Sequence, residues 1–578
     1  MATSSMHWRE AARTTLRSDV AIVAALLVLT LGSCLLAMRW GLPDGASPET
    51  TGTWAIDTIA PIGPLNEAYH RFTREGVDDV IYPLFHYFVL AGAYAPYVAV
   101  AMLTGDLQSP TASFPYGATD PESFFTHLTL IAGLVSALMA TGIVFIVYLL
   151  TRDLFDRRAA RWAAMFAALV PPLHFYGMTS NLDVPYLFWT MLSVWQLVRA
   201  AIHQRLRNYV LCGVFAGFAV ATKDPALGFF LSWPVIVPLL IVWGHRRAGQ
   251  LHQPLSLLTD LRMWGAVFGL LTAFALGNNL VFGGMGGFVR HLQFADSLYQ
   301  HNVATDTAGL FARQPGLLAD SVLLMAQMVG PLLLVLAIAG IVTVGKQRRH
   351  VALLLPLAAV SYYVSIVAPT LSLSRYLIGV VLLLTPFAGF AIVTAHEAKR
   401  GSWSVLAKAT AVLAIAWQLL LLLNLHATLW RDSRHAMESW VRANVPEGAT
   451  IEAYTQARYL PRLSDRYHYN VVANSFSAVS YDLVGKELSV EALAGRMPDY
   501  VMILEDSGLS GDPQRLSKGS SGSTSAQSAI VHYFEELMGQ RAGYALVARY
   551  ETPTWLPWRQ VTAGTQPTTL LYARQTGD

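Results

Sequence analysis

Twelve stretches of this chain are apolar for long enough to cross a bilayer, and nothing else in the sequence restricts its fold as tightly. They fall near residues 20–38, 81–103, 126–150, 162–178, 184–200, 206–222, 227–243, 263–281, 318–343, 351–367, 376–395 and 405–425. A spanning helix needs about 17–25 such residues, because lipid offers no partner to an unpaired backbone amide. Only 13% of the 578 residues are charged and 54% are hydrophobic, whereas soluble domains carry about 25% charged residues. The chain therefore reads as an all-α polytopic membrane bundle. Its net charge of +3 is spread over loops, which argues against a nucleic-acid partner. Both cysteines, Cys34 and Cys212, lie inside apolar runs, so no disulfide is expected. The first apolar run, Val20 to Met38, is longer than the ~7–15-residue core of a signal peptide and lacks a clear small-residue cleavage site, so it reads as a retained helix.

Basic residues set the expected topology. Cytoplasmic loops collect Lys and Arg, and the clusters here are Arg9/Arg13/Arg17, Arg152/Arg157/Arg158/Arg161, Arg199/Arg205/Arg207, Arg246/Arg247/Arg262, Lys346/Arg348/Arg349 and Lys399/Arg400/Lys408. If 81–103 crosses, loop 104–125, which has no Lys or Arg, becomes cytoplasmic and the Arg152 to Arg161 cluster is exported. If 81–103 instead lies in the outer interface, as its aromatic, proline-bearing "YPLFHYFVLAGAYAPY" allows, every cluster falls inside. About eleven crossings follow, with the N-terminus in the cytoplasm and the tail outside, as in a bacterial cytoplasmic (inner) membrane protein.

After Leu425 the composition changes. "SRHAMESWVRANVPEGATIEAY" reads as an amphipathic helix, a turn and a strand; "DYVMILE", "GYALVARYE" and "TTLLYAR" read as further strands, and 529–540 as a helix. The organisation is thus a transmembrane domain over 1–425, with a long first outer loop at 39–125, and a small extracytoplasmic α/β domain over 426–578. Within the latter, "SKGSSGSTSAQS" has the composition of a flexible loop.

Four polar residues on the outer side call for an explanation. Asp57 stands alone among apolar neighbours in a loop that also carries Glu67, Asp78 and Asp79; it is either a catalytic carboxylate or an ordinary loop acid or helix cap. Asp183 lies where "SNLDVPYLF" turns back into the bilayer, either as a functional acid or as the cap of a helix beginning at Val184. Lys223 in "ATKDPALGF" and Arg375 in "LSLSRYLIG" sit at outer helix ends, the side normally depleted of such residues. They either snorkel or bind an anionic lipid head group. Acid and phosphate-binding groups together point to transfer from a phosphorylated lipid.

The isolated Asp57, "YPLFHYFVLAG", "SNLDVPYLF", "FAGFAVATKDPALGFFLSWPVIV" and "SRYLIGVVLLLTPFAG", in this order over about residues 20–400, together resemble polytopic glycosyltransferases of the C superfamily. The protein O-mannosyltransferase and lipid A aminoarabinose transferase families are the nearest. "WVRANVPEGATI" and "PDYVMIL" resemble the extracytoplasmic domains of bacterial members. The resemblance implies a glycosyltransferase with a polyprenyl-phosphate sugar as donor, interfacial helices in the first loop and inversion at the anomeric carbon. It implies that Asp57 is the first-loop acid and Asp183 the second acidic position, with Lys223 and Arg375 the basic residues of the donor site. Many relatives carry an Asp-Glu pair where Thr58 follows Asp57 here, which weakens a two-carboxylate metal site.

In chemical terms, a carboxylate such as Asp57 can take the proton of an acceptor hydroxyl, while cations stabilise the departing lipid phosphate. A divalent cation is an open expectation, with Asp57, Asp183, His86, His291 and His301 as candidate ligands, although no His-Glu-x-x-His spacing occurs. The acceptor could be a protein, lipid or glycan hydroxyl. Two other classes share the pattern: a transporter or flippase of lipid-linked sugar, and a non-catalytic glycolipid-binding membrane protein. A transporter would be expected to show inverted repeats with broken helices, and none is visible in the sequence.

Overall fold

The computed structural model describes residues 2–73, 83–249, 254–283, 285–302, 307–347, 350–369, 373–397, 401–472, 488–507, 525–557, 562 and 564–575. Asp78, Asp79 and most of the Ser/Gly-rich segment lie outside these residues. Each of the twelve apolar stretches contains helix. Among the described residues seven helices are long and apolar enough to cross a membrane, or eight if one sharply bent pair counts as a single span, against the eleven crossings expected. The chain is thus a multi-pass membrane protein by composition and helix length. Phe85–Thr104 is one of the seven, so the interfacial reading of 81–103 rests on the charge pattern and the aromatic, proline-bearing composition, not on helix length. The other stretches fold as helices that are shorter or more polar, including Leu206–Val220 and Leu261–Gly277.

Two stretches expected to be continuous are broken, each by proline chemistry. The 162–178 stretch divides into Arg157–Ala167 and Pro171–Met178. Asp156 opens the first, accepting from the Arg158 and Ala159 amides at 2.6 and 2.9 Å. Pro171 and Pro172 open the second, where a missing N–H costs nothing. The 318–343 stretch divides at Gly330, with φ +86°, followed by Pro331, and the two helices meet at 111°. A left-handed glycine followed by a residue that cannot continue the ladder produces a bend that hydropathy cannot register.

The described residues divide into two compact units. The first comprises Met1–Leu36, Pro64–Ala93 and Gly133–Leu422; the second comprises Ala37–Gly63, Tyr94–Ala132 and Leu423–Asp578. The first-loop segment 37–63 therefore clusters with the tail. In the second unit a five-stranded mixed sheet runs in the order β2-β1-β3-β5-β4, from β1 (Thr450–Ala453), β2 (His468–Val471), β3 (Tyr500–Glu505), β4 (Tyr544–Glu551) and β5 (Thr568–Arg574). β1 pairs in parallel with β2 and β3, and β5 pairs antiparallel with β3 and β4. Along β3, Val501 and Ile503 enter one apolar cluster with Ile530, Phe534 and Leu537, whereas Met502 and Leu504 enter another with Met437 and Val441. Alternate residues point to opposite faces. Because helices cover both faces, the strand reads as the unbroken apolar run "YVMIL".

Residues 40–59 are welded to the tail by one fully buried arginine. Arg434 grips Asp432 with two bonds, at 2.9 and 2.7 Å, and donates to the Tyr459 and Gly564 carbonyls. Its guanidinium lies 4.0 Å from the centre of the Trp54 ring. Trp54, itself buried, donates from Nε1 to the Leu460 carbonyl at 2.9 Å, and Trp40 donates to Asp432 at 3.0 Å. Asp44 accepts from the Ser464 amide and hydroxyl at 3.1 and 2.6 Å. The Arg434 and Asp432 charges are paired with each other and hydrogen-bonded, the condition under which burying them is tolerable.

Candidate active site

In the first unit, three of the four predicted site residues converge on one polar cluster inside an apolar bundle. Asp183 is the first residue of the helix Asp183–His203 and is completely buried. Its carboxylate does not cap that helix. Asn181 supplies the local bond, its Oδ1 accepting from the Asp183 amide at 2.8 Å, which frees the Asp183 side chain for a longer-range partner. That partner is Lys223, whose Nζ donates to Asp183 Oδ1 at 2.8 Å. Lys223 follows the helix Leu206–Val220 in an extended conformation and is only 7% exposed. It is therefore an internal ion-pair partner rather than a snorkelling side chain. The second carboxylate oxygen, Asp183 Oδ2, is buried with no hydrogen-bond partner among the described residues.

Two tyrosines that the sequence reading missed complete the cluster. Lys223 Nζ lies 5.9 Å from the Tyr186 ring centre, and the Tyr186 hydroxyl is 3.3 Å from that of Tyr362. Both are fully buried, and the Tyr362 ring stacks on Phe229 at 4.0 Å. Asp183, Tyr376 and Arg375 all act electrostatically on the Tyr362 hydroxyl. Arg375, half-buried, is the second residue of the helix Ser374–Glu397, its guanidinium 5.3 Å over the Tyr376 ring. Directly after Tyr362, residues Tyr363–Val367 form a π-helical turn, a local irregularity found most often at functional sites. Tyr186, three residues after Asp183 in "DVPYLF", shares its helix face by spacing. Tyr362, in "VSYYVS", gave no comparable signal.

The histidines go elsewhere. His86, expected at an interface, is completely buried, and neither ring nitrogen has a hydrogen-bond partner among the described residues. His291 Nε2 is 2.7 Å from Asp224 Oδ2, next in sequence to Lys223. His301 lies in the helix Gly286–Asn302. Glu67 pairs with Arg71 at 2.6 Å. Among the described residues no three His, Cys, Asp or Glu side chains gather to hold a metal ion.

Asp57 belongs to the second unit. It is exposed and adopts φ +57°, a left-handed conformation that an Asp tolerates better than most residues. The neighbours hold the turn: Ile56 packs on the tail core, and Thr58, buried, shares a 3.0 Å hydroxyl contact with Thr53 and donates to the Ala55 carbonyl. The next helix begins at Gly63, so Asp57 is not its cap. Burial pushes the Tyr459 phenol above its ordinary value, Arg458 pulls it down and Asp57 pushes it up. The Asp57 turn and the 457–459 segment are therefore electrostatic neighbours.

ArnT from Cupriavidus metallidurans bound to undecaprenyl phosphate is 14% identical over 96% of this chain and 97% of that chain, with a TM-score of 0.41. The oligosaccharyltransferase AglB from Archaeoglobus fulgidus, in complex with an inhibitory peptide and a dolichol-phosphate, is 13% identical over 84% of this chain and 69% of that chain, with a TM-score of 0.44. The S. cerevisiae protein O-mannosyltransferase Pmt1-Pmt2 complex bound to the sugar donor is 20% identical over 48% of this chain and 34% of that chain, with a TM-score of 0.30. No curated protein matches the chain. Residues 124–263 match the family model for dolichyl-phosphate-mannose-protein mannosyltransferase. This segment contains both Asp183 and Lys223, so the resemblance to glycosyltransferases of the C superfamily includes the stretch that carries the buried ion pair.

Proposed function

We propose that this protein is a membrane glycosyltransferase that moves a sugar from a polyprenyl-phosphate donor to an acceptor hydroxyl outside the bacterial cytoplasmic membrane. The observation that carries the reading is the buried Asp183–Lys223 pair, within the segment matched to the mannosyltransferase family. An ion pair in an apolar bundle is costly to keep, and such residues mark sites where something charged binds or passes.

Each residue then has a role. Lys223 carries three N–H donors, of which one serves Asp183, so the ammonium can hold a lipid phosphate without releasing the carboxylate. Arg375 supplies the second cation of the phosphate site, and Asp183 orients Lys223. Asp57, exposed on a turn pinned to the tail, is the general base. It takes the proton as the acceptor oxygen attacks the anomeric carbon, and the bond to phosphate breaks on the opposite face, inverting that centre. Topologically, the basic clusters keep the N-terminus in the cytoplasm and the first loop and tail outside.

The test is single-turnover transfer from a labelled polyprenyl-phosphate sugar, which also separates an enzyme from a flippase or a passive binder. Asn retains the size of Asp but cannot take a proton at neutral pH. Asp57→Asn should therefore lower turnover by ~10²-fold or more with an unchanged melting midpoint. Turnover at the parent rate would remove Asp57 from the role of base.

A further inference from the structure

The second unit holds a cavity of about 380 Å³ between the 48–60 segment and the tail, within the size range of small-molecule sites (about 300–1,000 Å³). Its wall includes Glu49, Thr51, Gly52, Ala60, Gln456 and Arg458. Beside the apolar Pro48, Ala457 and Val471, the lining presents a carboxylate, a hydroxyl, an amide and a guanidinium, the few placed polar groups by which such a cleft selects its ligand. That set suits a ligand rich in hydroxyls: Glu49 and Thr51 can accept from them, and Gln456 can both donate and accept.

Arg458 fixes the ligand's charge. Its side chain lines the cavity, and its guanidinium lies 4.8 Å over the Tyr459 ring. Guanidinium groups bind carboxylate and phosphate oxygens most strongly, through paired N–H bonds. Gly52 makes the arrangement possible: a Cβ there would stand 2.6 Å from Arg458 Cδ. Any side chain at position 52 displaces the arginine stem. The cavity also adjoins the Asp57 turn, because Ala60 lines it and both Arg458 and Asp57 act on Tyr459.

We infer that this cavity binds the acceptor, a hydroxyl-rich molecule bearing one anionic group, a sugar phosphate or a sugar carboxylate, with the anion on Arg458. The inference rests on the reading of Asp57 as the base, and it makes the tail domain part of the acceptor site.

The experiment is calorimetric titration of the full-length protein in lipid nanodiscs with glucose 6-phosphate, glucuronate and glucose as probes. Saturable binding of at least one anion, with glucose weaker by about tenfold or more, is expected; which anion binds tighter separates phosphate from carboxylate. Arg458→Gln should weaken the anion by about ten- to a hundredfold, the range of one charge-assisted hydrogen bond. Gly52→Ala should weaken it as well while leaving the charge in place, and it remains informative if Arg458→Gln fails to fold. No saturable binding of either anion, equal affinity for glucose, or an unchanged affinity in a folded variant would overturn the proposal. The titration reads binding without turnover. Its failure sinks the acceptor site, whereas parent-rate turnover of Asp57→Asn sinks the base assignment.

Discussion

Removing one partner of the Asp183–Lys223 pair should harm the protein more than removing both. Asp183 is completely buried and Lys223 is 7% exposed, so Asp183→Asn leaves an ammonium with almost no water and no counter-charge. Breaking a buried pair in this way costs about 3–5 kcal/mol. Lys223→Met leaves the carboxylate stranded and should cost a similar amount. The double variant Asp183→Leu/Lys223→Met buries no charge, and replacement of such a pair by apolar residues is typically neutral or stabilising, by about 1–4 kcal/mol. The two sites should therefore couple by more than ~3 kcal/mol, well above the ~0.5 kcal/mol scatter of independent sites. The assay is reversible unfolding of the purified protein in mixed micelles as denaturing detergent is raised, run on the parent, both singles and the double. Donor affinity, measured alongside, should fall in all three variants, because each lacks the ordered ammonium. Single variants within ~0.5 kcal/mol of the parent, or a double variant as unstable as the singles combined, would refute the account of the pair as a buried, mutually dependent unit.

Three further outcomes are expected. Arg434→Met strands the buried Asp432 and removes the guanidinium from the Trp54 face; the tail should lose about 3–5 kcal/mol, read by near-ultraviolet circular dichroism against denaturant. In the loop before Leu261–Gly277, burial alone would raise the Asp260 carboxyl, but hydrogen bonds from Arg262 and His245 hold it down from 3.8 to about 2. A depressed acid contributes stability in full above the unfolded value of 3.8 and loses it as pH falls through about 2, so unfolding midpoints of parent and Asp260→Asn should converge over that window. Cysteine introduced at Ala112 and at Ser525 should react with an impermeant reagent from the outer face; protection of Ala112 alone would make 81–103 a crossing helix.

The sequence carried the fold class because hydropathy, the strongest signal in the chain, answers to length and composition alone. The tail strands β3, β4 and β5 were equally legible, since each holds a short apolar run ended by polar residues, and β1, "TIEA", was legible from the Pro-Glu-Gly turn before it. β2, "HYNV", was not, having only one large aliphatic residue. The breaks at Pro171 and Gly330 were missed because an apolar window averages over a single residue whose backbone, not side chain, decides the outcome. At the candidate site, isolated charge identified Asp183, Lys223 and Arg375, but their mutual geometry was invisible: Lys223 and Arg375 were read as a pair of cations for one phosphate, whereas Lys223 also neutralises Asp183. Tyr186 and Tyr362 escaped because a tyrosine in an apolar helix looks like core until its hydroxyl finds another.

The weld between Trp54 and Arg434 also has a consequence in time. The two residues are separated by 434 − 54 = 380 positions, and a ribosome adds about 5–20 residues per second. For about 20–75 seconds after Trp54 is made, the segment around Asp57 has no Arg434, no Leu460 carbonyl and no Ser464 to fasten it. The local hydroxyl bonds of Thr58 need no other part of the chain, but the segment can be fastened to the tail only after Ser464 has been synthesised. A nascent chain thus carries both Asp183 and Lys223 long before the partners that fasten the first-loop segment exist, so this weld is among the last contacts of the fold to form.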